Sequence, residues 1–295
     1  MLDITNKKML SVLQTYDIVT GERKVLKKFE EHIEAPNWGM DGTYLVYNSK
    51  GLIWKYDLAT GESTQIPTGI CTRCNNDHVL SADGKWLAIS AGTAEDGWSK
   101  VWTLPIEGGE PKQITPLKPS YLHGISPDGK TLAYCADRNG NFDVYTIPAD
   151  GSSTEETRLT DAEGLDDGPE YSPCGEYIWF NSVRSGLMQA WRMKKDGSEQ
   201  TQMTFDEANN WFPHISRDGK HIVMVTYFKG DVAPGDHPAN KNIRIRYMSA
   251  EGGEVKTLIA TDPEKGELGG QGTMNVNSWA PDHKTFAFVT YEFVD

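Results

Sequence analysis

The sequence predicts an all-β chain: a six-bladed β-propeller of four-stranded antiparallel blades, its ring closed by N-terminal strands that complete the C-terminal blade. Three observations lead there. A turn followed by an apolar run recurs six times, mostly at steps in the forties. A second kind of turn falls between successive copies. The chain starts on the second unit and ends after the first, so its two ends are complementary parts of one blade.

The first unit reads Met40-Asp-Gly-Thr-Tyr-Leu-Val-Tyr47, then Ala82-Asp-Gly-Lys-Trp-Leu-Ala-Ile89. It returns from Pro127 to Tyr134, Pro173 to Phe180, Arg217 to Met224 and Pro281 to Phe288. The turn glycines are Gly42, Gly84, Gly129, Gly175 and Gly219, with His283 in the sixth place. The steps are 42, 45, 46, 44 and 64, and the long one marks insertions in one blade. Asp-Gly between apolar runs signals a hairpin, because tight turns need residues that tolerate positive φ. The runs are nearly continuous in apolar character, as suits strands covered on both faces by neighbouring blades.

The second unit reads Tyr56-Asp-Leu-Ala-Thr-Gly-Glu62, with copies at 104–110, 147–152, 193–198 and 248–254. Each blade is therefore two hairpins, with strands a to d. Tyr16–Glu22 is a second unit with no first unit before it, and Val289–Phe293 follows a first unit with no second one after it. Residues near 10–28 supply strands c and d of the last blade, and residues near 277–293 supply a and b. The expected organisation is one domain over 1–295, with blades near 34–68, 77–116, 122–160, 168–204, 212–260, and 276–293 plus 10–28. Closure removes open sheet edges.

Composition agrees. Aromatics are 10% of the chain, and 29 Gly with 15 Pro punctuate it, which fits many short strands. No run approaches the length of an apolar membrane helix, so membrane insertion is not expected. A net charge of -13 argues against nucleic acid as partner. The start lacks the apolar stretch of a signal peptide. A cytoplasmic location follows if Met1 is the native start, and a periplasmic one if a leader was trimmed. Cys71 and Cys74 have the CxxC spacing, but no helix-opening context or second ligand pair accompanies them. We read all four cysteines as reduced thiols, with Cys135 on an apolar strand.

Ile125-Ser-Pro-Asp-Gly-Lys-Thr-Leu-Ala-Tyr134, followed by Asp137-Arg-Asn-Gly140 and Asp143-Val-Tyr-Thr-Ile147, resembles the repeat of TolB-like proteins. Blade four repeats it as Tyr171-Ser-Pro-Cys-Gly175, Ser182-Val-Arg-Ser-Gly186 and Ala190-Trp191. The resemblance covers nearly the whole chain and implies the propeller fold. TolB itself is periplasmic and carries an extra N-terminal domain, which is not expected within these residues because the propeller takes up nearly all of them.

Antiparallel strands send the d–a and b–c loops to one face and the a–b and c–d turns to the other. The second group is short throughout. Both large insertions, Phe228–Asn242 and Ala260–Met274, fall in the first, which is where function is expected. Eight residues before each turn glycine stand Glu34, Asn76, Tyr121, Asp167, Trp211 and Asn275. Six before it stand Pro36, His78, His123, Pro169, Pro213 and Asn277. Asp77, Asp166, His214 and Gln271 lie beside these rings, and Arg138 and Arg184 come from b–c loops. Such unlike side chains at equivalent places suit an asymmetric ligand. The expected site is Asn76, Asp77, His78, Tyr121, His123, Arg138, Asp166, Asp167, Arg184, Trp211, His214, Gln271 and Asn275. Polar residues in a wet channel and local Asn or Asp turns would produce part of the same pattern.

Two functions are compatible with these residues. One is a binding module for a small polar or carbohydrate ligand or a protein segment, with Trp211 and Tyr121 as stacking surfaces and Arg138 and Arg184 pairing with carboxylates. The other is a metal-assisted carbohydrate lyase or hydrolase. In that reading His78, His123 and His214 hold a divalent metal, with Gln271 or Asp236-His237 completing its shell. Some oligogalacturonate lyases are similar propellers with a metal bound by His and Gln. Their Gln closely followed by two His is not matched, since Gln271 precedes Gly-Thr-Met-Asn-Val. No nucleophile elbow, P-loop or dinucleotide fingerprint is present. Gly266–Gly272 reads as an insertion turn. The oligomeric state is not encoded in any of these features.

Overall fold

A computed structural model describes residues 8–260 and 266–295. The chain start at 1–7 and residues 261–265 of the second insertion lie outside the described residues. Strands β1 (Lys8–Asp17) and β2 (Arg23–Phe29) come first, and four complete blades follow. The first is β3 (Glu34–Trp38), β4 (Tyr44–Ser49), β5 (Leu52–Asp57) and β6 (Ser63–Ile66). The second is β7 (Cys71–Leu80), β8 (Trp86–Thr93), β9 (Lys100–Pro105) and β10 (Lys112–Gln113). The third is β11 (Ser120–Ile125), β12 (Thr131–Asp137), β13 (Phe142–Pro148) and β14 (Thr157–Arg158). The fourth is β15 (Asp166–Tyr171), β16 (Tyr177–Ser182), β17 (Gln189–Lys194) and β18 (Thr201–Gln202).

The fifth blade, β19 (Asn209–Ile215), β20 (His221–Tyr227), β21 (Ala239–Ser249) and β22 (Lys256–Ile259), carries an extra strand, β23 (Glu267–Gly270). Within each blade the strands pair in chain order, and all pairs are antiparallel. β24 (Thr285–Val294) pairs with β1 over ten residues, Lys8 opposite Val294 through Asp17 opposite Thr285, and this closes the six-bladed ring. The innermost place of the closing blade is held by a segment that makes one bridge, Trp279 to Phe286. The glycine-rich segment expected to be an insertion turn instead contains β23, which pairs with the outer end of β21. The insertion thus supplies its own partner for the edge it lengthens.

The repeat is explained by its turns. All five turn glycines adopt positive φ, between 69° and 77°, and His283 does so at 64°. In three blades a serine and an aspartate lock the turn from its flanks. Ser126 Oγ donates to Asp128 and accepts from Thr131 N, and Ser81–Asp83 and Ser216–Asp218 repeat the arrangement. In the fourth blade Cys174 takes the aspartate's place, its sulfur 3.2 Å from Ser172 Oγ. Apolar side chains from facing strands of adjacent blades fill the gaps between them, among them Trp179, Trp279, Tyr134, Phe180 and Phe286, all fully buried. No helix among the described residues is long and apolar enough to cross a membrane.

Candidate functional site

The innermost strand of every complete blade is bulged at the same place. Register shifts fall at Glu34/Asn37, Cys74/His78, Leu122/Gly124, Asp167/Glu170 and Trp211/His214. A bulge leaves residues unpaired and re-aims their side chains. Ala35, Gly168 and Phe212, equivalent positions in three blades, also take positive φ. For Phe212, at 54°, this is a strained backbone of the kind concentrated at functional sites.

These bulges open a cavity of about 480 Å³ on the face of the d–a and b–c loops. Of the expected site residues, Asp77, Tyr121, His123, Asp167, Gln271 and Asn275 line it. Asn75, Cys135, Phe142, Leu165, Phe212, Gly235 and His237 line it as well. His237 was expected only in a metal shell, and the other six had no place in the expected site. Phe142 opens strand c, Leu165 precedes strand a, and Gly235 and His237 stand on an insertion, so all four reach the cavity from loop-face segments.

The polar centre is a set of coupled charges. His123 Nε2 lies 3.2 Å from Asp167 Oδ1, and His237 Nε2 lies 3.9 Å from Asp167 Oδ2. Phe212 stacks on His123 with ring centroids 5.6 Å apart and meets His237 edge-on at 5.3 Å. Burial works against a charged His123, but Asp77 and Asp167 outweigh it and hold its pKa up at about 9. Burial pushes Asp77 up to about 7, partly countered by His123 and reinforced by Asp167 and Glu34. Asp167 is also buried, yet His123 holds its carboxyl below the usual value. Burial lowers His237 despite Asp167. Asn75 Nδ2 donates to Asp77 Oδ2, and the Nδ1 atoms of His123 and His237 have no partner.

Several expected site residues do other work. Arg138 donates to both carboxylate oxygens of Glu156, to Pro119 O and to Ser120 Oγ. Arg184 donates to Asp166, Ser182 and Gln200. Both guanidiniums, and Asp166 with them, are fixed inside the blades and do not face a ligand's carboxylate. Trp211 is fully buried with its ring 4.3 Å from that of His237, so it supports the cavity wall from behind and offers no stacking surface. Asn76 is buried without lining the cavity.

The three histidines expected to share a metal are used differently. His214 has Nδ1 2.6 Å from Glu170 Oε2 and Nε2 2.9 Å from Met274 O, so both ring nitrogens are engaged. His78 is almost wholly buried with neither nitrogen partnered, and burial drives its pKa down to about 3. It does not line the cavity. Among the described residues no group of three or more His, Cys, Asp or Glu side chains is arranged to hold a metal. Cys71 and Cys74 are free, buried thiols whose pKa burial raises to about 12, unlike a reactive pair.

The comparisons with known proteins agree with the architecture. The TolB beta propeller domain family matches residues 119–262. An uncharacterized protein of Agrobacterium fabrum is 44% identical over 96% of this chain and 93% of its own length. A solved structure assigned to TolB from Agrobacterium tumefaciens superposes with a TM-score of 0.90 at 44% identity, covering 97% of this chain and 99% of that one. The Tol-Pal system protein TolB of Francisella tularensis is 26% identical over 68% of this chain, and the match spans 47% of its length. With its repeats, its ring closure and these relatives, the chain belongs to the TolB-like β-propeller family.

Proposed function

We propose that this protein is a binding module whose ligand sits in the loop-face cavity. The observation that carries the reading is the bulge in each inner strand. The bulged strands and the loops above them bring two carboxylates, two imidazoles and amide side chains beside three aromatic rings in one cavity of about 480 Å³. That volume suits a small molecule or one or two side chains of a partner. The carboxylates and amide side chains that line the cavity would take hydroxyls or amides, and Tyr121, Phe142 and Phe212 would cover apolar ring faces. Because Arg138 and Arg184 are engaged internally, the cavity favours a polyhydroxy, amide or cationic group over a carboxylate. The TolB relatives are named for a multi-component system, which supports a protein segment as one such ligand.

The test is a calorimetric or NMR screen of neutral oligosaccharides, amines and peptides against the whole chain. A binder should lose at least about tenfold affinity in Asp77→Asn and in Phe142→Ala, the size expected for one buried charged hydrogen bond or one ring contact. A binder that both variants hold as tightly as the wild type would place the site elsewhere.

A further inference from the structure

The axial channel has a second mouth, among the tight a–b turns. Two residues before the turn glycine, the six blades place Met40, Ala82, Pro127, Pro173, Arg217 and Pro281. The first five line a second cavity of about 240 Å³. One layer deeper, two residues earlier in each repeat, its wall is Trp38, Leu80, Ile125, Tyr171 and Ile215. Among these rim positions Arg217 is the single cation, where the other blades carry Pro, Met or Ala; deeper in, His123, Glu170, Asn37 and Asn277 also line the cavity.

Arg217 is mostly withdrawn from solvent, yet no carboxylate among the described residues pairs with it. Its Nε donates to Trp279 O at 3.0 Å, one Nη donates to Trp38 O at 2.7 Å, and the other meets Met40 Sδ. A guanidinium has five N–H groups, so one on each terminal nitrogen remains. Glu170, on the cavity floor, does not neutralise it directly. Its carboxylate accepts from Ile215 N at 2.9 Å and Asn277 Nδ2 at 2.6 Å, and meets His214 Nδ1 at 2.6 Å. A buried cation without an ion-pair partner is costly. Here it is held over a mostly apolar hollow, where an incoming anion would supply the missing charge.

We propose that this second mouth binds a small amphipathic carboxylate, its apolar group among Leu80, Ile125, Tyr171 and Ile215 and its carboxylate on the free N–H groups of Arg217. The hollow has room for such a group, since a cavity of about 150 Å³ already takes a benzene ring. The same chemistry is offered by a free acid and by the C-terminal carboxylate of a peptide ending in an apolar residue. The site opens at the other mouth from the loop-face cavity, and His123 is the one residue that lines both.

Isothermal titration with 3-phenylpropionate and with the peptide Gly-Gly-Leu, each beside its neutral amide, tests this. The acids should bind at least tenfold more tightly than the amides, and Arg217→Met, which keeps the aliphatic stem, should erase that difference. If Arg217→Met does not fold, Ala82→Phe fills the rim without touching the cation and should abolish binding of both acids. Tighter binding of the peptide than of the free acid would assign the site to a chain terminus, and the reverse to a metabolite. Equal affinity for acids and amides, undiminished binding in either variant, or no binding of the acids would overturn the proposal.

Discussion

Asp77 and His123 each alter the proton affinity of the other, and the consequence can be measured. Asp77, at about 7 when folded, lies above the unfolded carboxyl value near ~3.9. Its proton therefore stabilises the fold fully at low pH, and that stability is lost as pH rises from about 4 to about 7. His123 is raised too, so its contribution is full below about 6.5 and lost as pH rises through about 9. In urea unfolding the stability difference between wild type and Asp77→Asn should therefore fall as pH rises from about 4 to about 7, whatever the other buried histidines add to the overall profile. In the same variant, NMR titration should find the His123 midpoint lowered by about one pH unit, since one of its two anionic partners is gone. An unmoved midpoint would mean the two groups do not share a field. Asp77, His123 and Asp167 were legible in the sequence because the repeat places them six to eight residues before the turn glycine, at the start of an inner strand. Trp211 and His214 stand on the same stretch of their inner strand, but a bulge turns Trp211 behind His237, and Glu170 ties up His214. Alignment fixes the layer of a side chain and leaves its direction to the local backbone.

At the scale of the element, the hairpin turn is the part of the fold most readable from sequence, and its exception is informative. Five turns place glycine at positive φ, and the sixth forces His283 into the same conformation while leaving it exposed. A side chain there strains the backbone, so His283→Gly should stabilise the protein by about 0.5–1 kcal/mol in urea unfolding, the left-handed penalty offset in part by glycine's greater unfolded freedom. A loss of stability would show that the imidazole makes a compensating contact. The b–c loops were less readable. Arg138 is a visible cation in the sequence, but its partner Glu156 lies 18 residues away at the approach to β14. Both side chains are more than nine-tenths buried. Arg138→Met should cost about 3–5 kcal/mol, because it strands a buried carboxylate. Adding Glu156→Leu should restore much of that loss, and a double variant as unstable as the single one would assign the cost to lost packing instead.

For the whole molecule, the decisive feature is that the closing blade is built from both chain ends. β1 pairs with β24 on one side and β2 on the other, while Leu13 at its centre is completely buried among Ile33, Leu45, Val289 and other apolar side chains. The complementary phase of the ends made this closure legible without any structure. Residues 267–270 were not, since a short glycine-rich segment becomes a strand only when the lengthened β21 offers it an edge. A ring transmits local loss around its circumference, because each inner strand packs on the next and the closing blade packs on the first. We therefore propose that the six blades unfold as one unit. Leu13→Ala removes core volume worth about 2–5 kcal/mol. In a ring that behaves as one unit, denaturant curves followed by tryptophan fluorescence and by circular dichroism should shift together and remain single. Hydrogen exchange should accelerate in β3 and β24 and in distant β15 alike. If β1 merely frayed, exchange would quicken only in β1, β2 and β24, and the two optical probes would separate. That pattern would show that the ends latch the ring without holding it together.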